Sequence, residues 1–373
     1  MGRASLLLVL GFSAVFHIAA YDIQRSVLAT EAQVIEHYGE TFALNLAESG
    51  AEMILTKLAY NGSWRGWKAN DVPGGGHLVS GAVDDTTLGP LGVRVLSYGA
   101  FEEHADTVFV RLLIENRMPG AARGALTANT VVAGNGGLLL DGRDHQLNGQ
   151  VIPGAGALAI STTATLDLRP NTWLAGTADS VDHDPHRVGD SDLAALTETG
   201  AVWPLGFPMT PDGVMGGPEK GYPEGRLERV AKSGASGSQY VGPDTSPPTG
   251  PSDLTYPLRG VTYVELGLGE GWGGVDFGTG SAGILVVHND SRTAVVKNIN
   301  HGDFRGLLIA DDIVHLHARV IGAIVVLSSA PSSGNVLGNG RGRVLYSRAA
   351  LSRAASGMPG IYRPLDILDW NYR

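Results

Sequence analysis

The chain has 373 residues, 43% hydrophobic and 17% charged, which excludes a disordered protein and leaves room for a sizeable core. A formal net charge of -10 argues against the basic stripe that a nucleic-acid partner needs, and the lack of cysteine excludes disulfides, thiolate metal sites and cysteine nucleophiles. Glycine, at 53 residues, is about twice its usual share without a collagen period, which predicts tight turns and close backbone contacts.

Residues 1–58 read as one long helix. An apolar run from Leu6 to Ala20 is broken by Gly11, Ser13 and His17, and the first proline is Pro73. Leu6, Leu7, Leu8, Val9, Leu10, Phe12, Val15 and Phe16 make this start apolar on every side, as in lipid or a filament core. The run is roughly 24 Å of helix, slightly short for a free span. It reads as a retained anchor or as a cleaved export signal with small residues at Ala19-Ala20. The next thirty residues favour retention. Leu28, Ala32, Ile35, Gly39, Phe42, Leu46, Ser49 and Met53 alternate steps of four and three, an apolar-to-small seam for helix–helix assembly. Its C-terminal part has a competing role, packing on the protein's own head.

Residues 59–75 read as a connector, with Pro73-Gly74-Gly75-Gly76 breaking the chain. From His77 to Glu115, alternation at Val79, Val83, Val93, Val95, Val108, Val110, Leu112 and Ile114 predicts three antiparallel strands. Residues 125–205 are short glycine-punctuated strands, and Asp179–His186 gathers carboxylates and imidazoles that read as a solvated loop. Residues 206–257 read as a Pro/Gly/Ser-rich excursion or linker, with a short helix near Arg226–Ser233. Over 258–346, the runs beginning at Gly283, Gly306 and Gly322 predict one strand per turn of a parallel β-solenoid. Residues 347–373 read as a C-terminal helix and a docked tail. Asn61-Gly62-Ser63 and Asn289-Asp290-Ser291 match the glycosylation sequon.

The segment Phe42-Ala43-Leu44-Asn45-Leu46-Ala47-Glu48-Ser49-Gly50-Ala51-Glu52-Met53 resembles the A-E-x-G stretch of type IV pilin-like proteins, the minor pilin and pseudopilin group. It lies about forty residues into a hydrophobic helix, as in that group, and the resemblance covers roughly residues 1–60. The strand pair Val93–Ala100 and Thr107–Val110 also looks like the pair that comes after the helix there. Position 5 is Ser5, where major pilins carry an early glutamate, so the resemblance points to an accessory or divergent member.

The expected fold is therefore α+β, mostly β: a long N-terminal hydrophobic helix over 1–58, a small antiparallel module over 59–124, a Gly-rich β region over 125–205, then the excursion and a parallel β-solenoid head. The resemblance implies a structural subunit of an envelope or extracellular filament. Its partners would be other copies or other pilin-like subunits, and the inner membrane before assembly, with no cofactor and no nucleic acid. The head leaves open a surface or glycan contact, and the alternative of an anchored or secreted adhesive solenoid. A less favoured alternative is a polysaccharide-degrading β-helix. Asp303, Asp311, Asp312, His301, His315 and Arg319 lie in the repeats, and Asp311-Asp312 with His301-Gly302 is similar to elements of polygalacturonase-like hydrolases, in reversed order.

Overall fold

The computed structural model describes residues 2–60, 64–88, 92–114, 118–134, 136–189, 193–243, 254–330, 337, 341–356 and 365–372, with backbone only for 2–5 and 60. The fold is α+β and mostly β. It divides into two compact units: Met1–Glu115 with Arg363–Arg373, and Asn116–Tyr362.

The first unit is built on helix α1, Gly2–Tyr60. Its second half packs on an antiparallel sheet of strands β1 (Gly66–Val72), β2 (Gly76–Asp84), β3 (Gly92–Phe101) and β4 (His104–Ile114), completed by a C-terminal strand, Leu365–Tyr372, beside β4. Residues Gly66–Val72, expected as connector, are an edge strand. Almost every side chain there is exposed, so no apolar alternation betrays it. The core joins Ala47, Ala51, Ile54 and Leu58 of α1 to Val93, Val95, Val108, Val110 and Leu112 of the sheet.

Small residues set the depth of this packing. A Cβ on Gly99 would collide with backbone atoms of Ala43 and Ala47, and one on Gly50 would collide with Ser97 and Leu78. Helix and sheet therefore meet backbone to side chain. At the end of α1, the Lys57 ammonium lies 4.3 Å from the Trp64 ring centroid, a cation–π contact where the helix dipole also favours a cation. On the opposite sheet face, the buried Asp85 carboxylate accepts bonds from Thr87 Oγ1 (2.6 Å) and Arg111 Nε (2.9 Å). These donors hold its pKa down at about 2.

In the second unit, strands Gln239–Val241, Val261–Glu265, Ser281–His288, Asp303–Ala310 and Arg319–Val326 pair in parallel, each with the next. The register stacks Val261, Ile284, Leu307 and Ala323. Arg343–Tyr346, Leu139–Asp141 and Trp173–Ala178 continue the parallel order, and Val181–Arg187 closes the edge antiparallel, so the sheet is mixed. A second parallel sheet holds Gly271–Asp276, Val295–His301 and Asp312–Leu316. Continuous apolar runs such as Ile284–Val287 and Leu307–Ala310 are buried on both faces, which is the demand of parallel strands.

Residues 206–257, expected as an excursion, are in part core. Tyr222, Leu227, Val230 and Ala231 are buried with the sheets, and Asp212 binds the first amides of helix Arg226–Ser233, Leu227 N at 2.9 Å and Arg226 N at 3.1 Å. The short helix expected near Arg226–Ser233 is present, and its apolar residues, spaced by three and four, turn inward. The segment Ser246–Ser252, also expected as linker, lies outside the described residues.

Two outcomes check the first unit. Gly99→Leu forces a side chain into the Ala43–Ala47 backbone and is expected to destabilise this unit by about 1–3 kcal/mol or more, read as a lowered midpoint in denaturant. Because Asp85 titrates below its unfolded value, its stabilisation is present above about pH 4 and fades as pH falls towards 2. Asp85→Asn should therefore flatten the acid limb of the stability profile, and an unchanged limb would refute this role.

Candidate functional site

The first half of α1 has no partner within the described residues. Sixteen large apolar side chains from Leu6 to Tyr38 stand 57–71% exposed. Leu6, Leu7, Leu8, Val9, Leu10, Phe12, Val15 and Phe16 are all among them. The exposed length, Leu6–Tyr38, is roughly 50 Å of helix, more than the thickness of a bilayer core. Soluble monomers rarely leave contiguous apolar patches larger than a few hundred Å² in water. Between Leu6 and Tyr38, charged residues occur only after the apolar run, at Asp22, Arg25, Glu31 and Glu36.

The seam residues divide between two surroundings. Leu28, Ala32 and Ile35 are exposed. Gly39 and Leu46 are buried against the unit's own sheet, and Phe42 is half-buried, its ring 4.5 Å from that of Phe101. Ser49 and Met53 face outward again. The stripe that packs on the sheet is instead Ala43, Ala47, Ala51, Ile54 and Leu58. The cause is geometric. A set spaced at 3.5 residues drifts about 20° per heptad around a straight helix of 3.6 residues per turn. Over the length from Leu28 to Met53 that turns the seam by roughly 60°, further away from the buried stripe and not onto it.

Within the stretch that resembles pilin-like proteins, each residue type has a local task. Ala47 and Ala51 are buried, Gly50 leaves room for Ser97 and Leu78, and Glu48 accepts a hydrogen bond from the Tyr372 phenol, which raises the phenol's pKa. Gly99 and Tyr372 were not singled out from sequence. A glycine inside the strand Val93–Phe101 is the one signal that marked a close approach there.

Two of the carboxylates considered for hydrolysis, Asp311 and Asp303, are engaged within the fold. Asp311 is buried and accepts from His288 Nδ1 (2.6 Å), Asn289 N (3.0 Å) and Ala294 N (3.1 Å), so it fastens the turn after Ser281–His288. Asp303 lies outward and forms a two-pronged ion pair with Arg319. His315 contacts Asn298 at 3.0 Å. In the Asp179–His186 segment, Asp182 accepts from Thr177 Oγ1 (2.6 Å) and Gly154 N (2.9 Å), and Asp184 pairs with Arg143. This segment is largely strand, Val181–Arg187, where a loop was expected. Asp141 holds Arg143 (2.7 Å) and His145 (3.4 Å), and these partners keep its carboxyl below the usual range against the opposing effect of burial. Asn289 is buried, and its amide nitrogen donates to Gly267 O and Thr293 Oγ1, both at 3.1 Å, so that sequon is closed to a glycan in the folded chain. Asn61-Gly62-Ser63 lies outside the described residues.

A comparison with solved structures returns the competence-associated pilin ComZ from Thermus thermophilus, 13% identical, covering 90% of this chain and 97% of that one, with a TM-score of 0.29. No protein-family model matches the chain, and no curated protein matches it.

If Asp311 is a fastening and not a reacting group, Asp311→Ala should destabilise the second unit by about 3 kcal/mol or more, since it strands two buried amides and an imidazole. Chemical denaturation of the full chain in detergent reads this directly. An unchanged midpoint would contradict the structural role.

Proposed function

We propose that this chain is a pilin-like filament subunit, held first in the inner membrane by α1 and then packed through the same helix among other copies or other pilin-like subunits. The observation that carries this is the division of α1: its C-terminal part is buried in the chain's own sheet while sixteen large apolar side chains between Leu6 and Tyr38 face outward. Burying each of those is worth roughly 1.5–3 kcal/mol, so lipid or neighbouring helices would supply tens of kcal/mol per subunit. No other force in the chain needs to drive polymerisation, and no chemistry is required of it.

The two halves of the exposed stretch have separate roles in this reading. Leu6–Phe16, apolar on all sides, sits in lipid or in the filament core. Leu28, Ala32 and Ile35 form the assembly seam, next to charged positions that lie beyond the hydrocarbon. The β-rich remainder then lies on the periplasmic or outer side of the membrane. Its parallel rungs and stacked apolar ladder support a solenoid-like head, which gives the subunit a surface for contact with its surroundings. That same observation favours the second reading, an anchored adhesive head for which the helix serves export and retention alone.

Paired variants separate the readings. Leu8→Arg with Phe12→Arg places two cations in the membrane core, at about 2.5–3.5 kcal/mol each on insertion scales, and should release the protein from the membrane fraction and abolish filaments. Leu28→Asp with Ile35→Asp should leave membrane retention intact and abolish filaments in negative-stain images. Filaments that persist in both pairs would sink the subunit reading. Retention without filaments in every background, wild type included, would favour the anchored head.

A further inference from the structure

Gly260, Gly283, Gly306 and Gly322 stand at one position on successive rungs of the parallel sheet, paired Gly283 to Gly306 and Gly306 to Gly322. At φ of 122°, 142° and 145°, the last three have the backbone of a residue that must be glycine. A Cβ on each would collide with the carbonyl oxygen of the glycine one rung before it. The result is a bare furrow running across the strands. The C-terminal helix Arg348–Ser356 packs over Ser281–His288, Asp303–Ala310 and Arg319–Val326. Beside that helix the furrow remains open, as a cavity of about 450 Å³ floored by Gly260 and Gly283.

Three guanidinium groups line this cavity: Arg259, Arg305 and Arg353. Among the described residues no acidic side chain lines it, in a chain of net charge -10. Arg259 is held by the carbonyls of Leu258 and Gly280, which orient it without neutralising it. Arg305 Nε donates to Leu147 O at 2.8 Å, and its Nη2 lies 3.5 Å from Asp303, a carboxylate already committed to Arg319. Arg353 is exposed and has no ion pair among the described residues. Positive charge therefore exceeds negative charge in a concave site, where arginine's fork suits a planar oxyanion.

We propose that this cavity binds a sugar acid: a carboxylate carried on a ring-sized polyhydroxy ligand, such as a uronate residue of an acidic glycan. The volume falls in the range of small-molecule sites, roughly 300–1,000 Å³, and is far larger than a bare inorganic anion fills. Arg353 and Arg259 take the carboxylate. Ser236 and the glycine backbone meet ring hydroxyls, while Ala282 and Ala354 meet the apolar face of the ring. Among the described residues no aromatic ring lines the cavity. The site belongs wholly to the second unit and is independent of filament assembly.

Isothermal titration of the full chain in detergent tests this with three probes: a uronic-acid trisaccharide, the neutral trisaccharide of the same ring and linkage, and inorganic phosphate. The uronate is expected to bind and the other two are not. Arg353→Gln removes no hydrogen bond or ion pair among the described residues and should weaken uronate binding at least about tenfold, the loss typical of a charge-assisted contact. Ala354→Trp should fill the cavity and abolish binding without changing charge. Circular dichroism confirms that each variant is folded. Failure of the uronate to bind, equal binding of the neutral sugar or of phosphate, or undiminished uronate binding by Arg353→Gln each overturns the proposal.

Discussion

The contact between α1 and its antiparallel sheet sets the terms for the rest of this molecule. Ala43, Ala47, Gly50 and Ala51 let the helix backbone approach β2 and β3 closely, with Gly99 accepting the approach from the sheet side. That contact fixes which face of the helix is spent internally. N-terminal to Tyr38 the helix is left with a largely apolar surface and nothing to cover it within the described residues. Such a surface is unstable in water, so the same packing that stabilises the head also creates the need for a lipid or protein partner.

Sequence made the helix legible almost to the residue, because 59 residues without proline and with few glycines leave little alternative. The apolar strands of the small sheet were also legible, since their alternation at Val93, Val95, Val108 and Val110 has period two. The edge strand Gly66–Val72 was not, because an exposed edge carries no hydrophobic pattern. The buried stripe on α1 is a different set from the seam, because spacings of 3.5 and 3.6 residues per turn diverge along a long helix. Leu28 and Ile35 were legible as apolar; which partner covers them is not written in their spacing.

In the second unit the glycines carried more information than their turns suggested. The runs starting at Gly283, Gly306 and Gly322 were legible as repeated strands. Their alignment into a furrow was not, because it depends on a register that only pairing fixes. The carboxylates that looked chemical in sequence, Asp311 above all, turned out to be fastened by their own backbone. Spacing alone cannot tell a carboxylate that binds a ligand from one that ties a turn.

The C-terminal strand Leu365–Tyr372 has a consequence for the order in which the chain is made. It pairs with β4, so two neighbouring strands of one sheet are separated in sequence by the whole of the second unit. During synthesis from the N-terminus, α1 and β1–β4 are complete long before their last strand exists. Until then the edge at Val108–Ile114 presents unpaired backbone groups, and Glu48 lacks its phenol partner. The first part of the protein to be translated is thus among the last to be finished, and a ribosome that stops short of Leu365 releases an open sheet edge together with an uncovered hydrophobic helix.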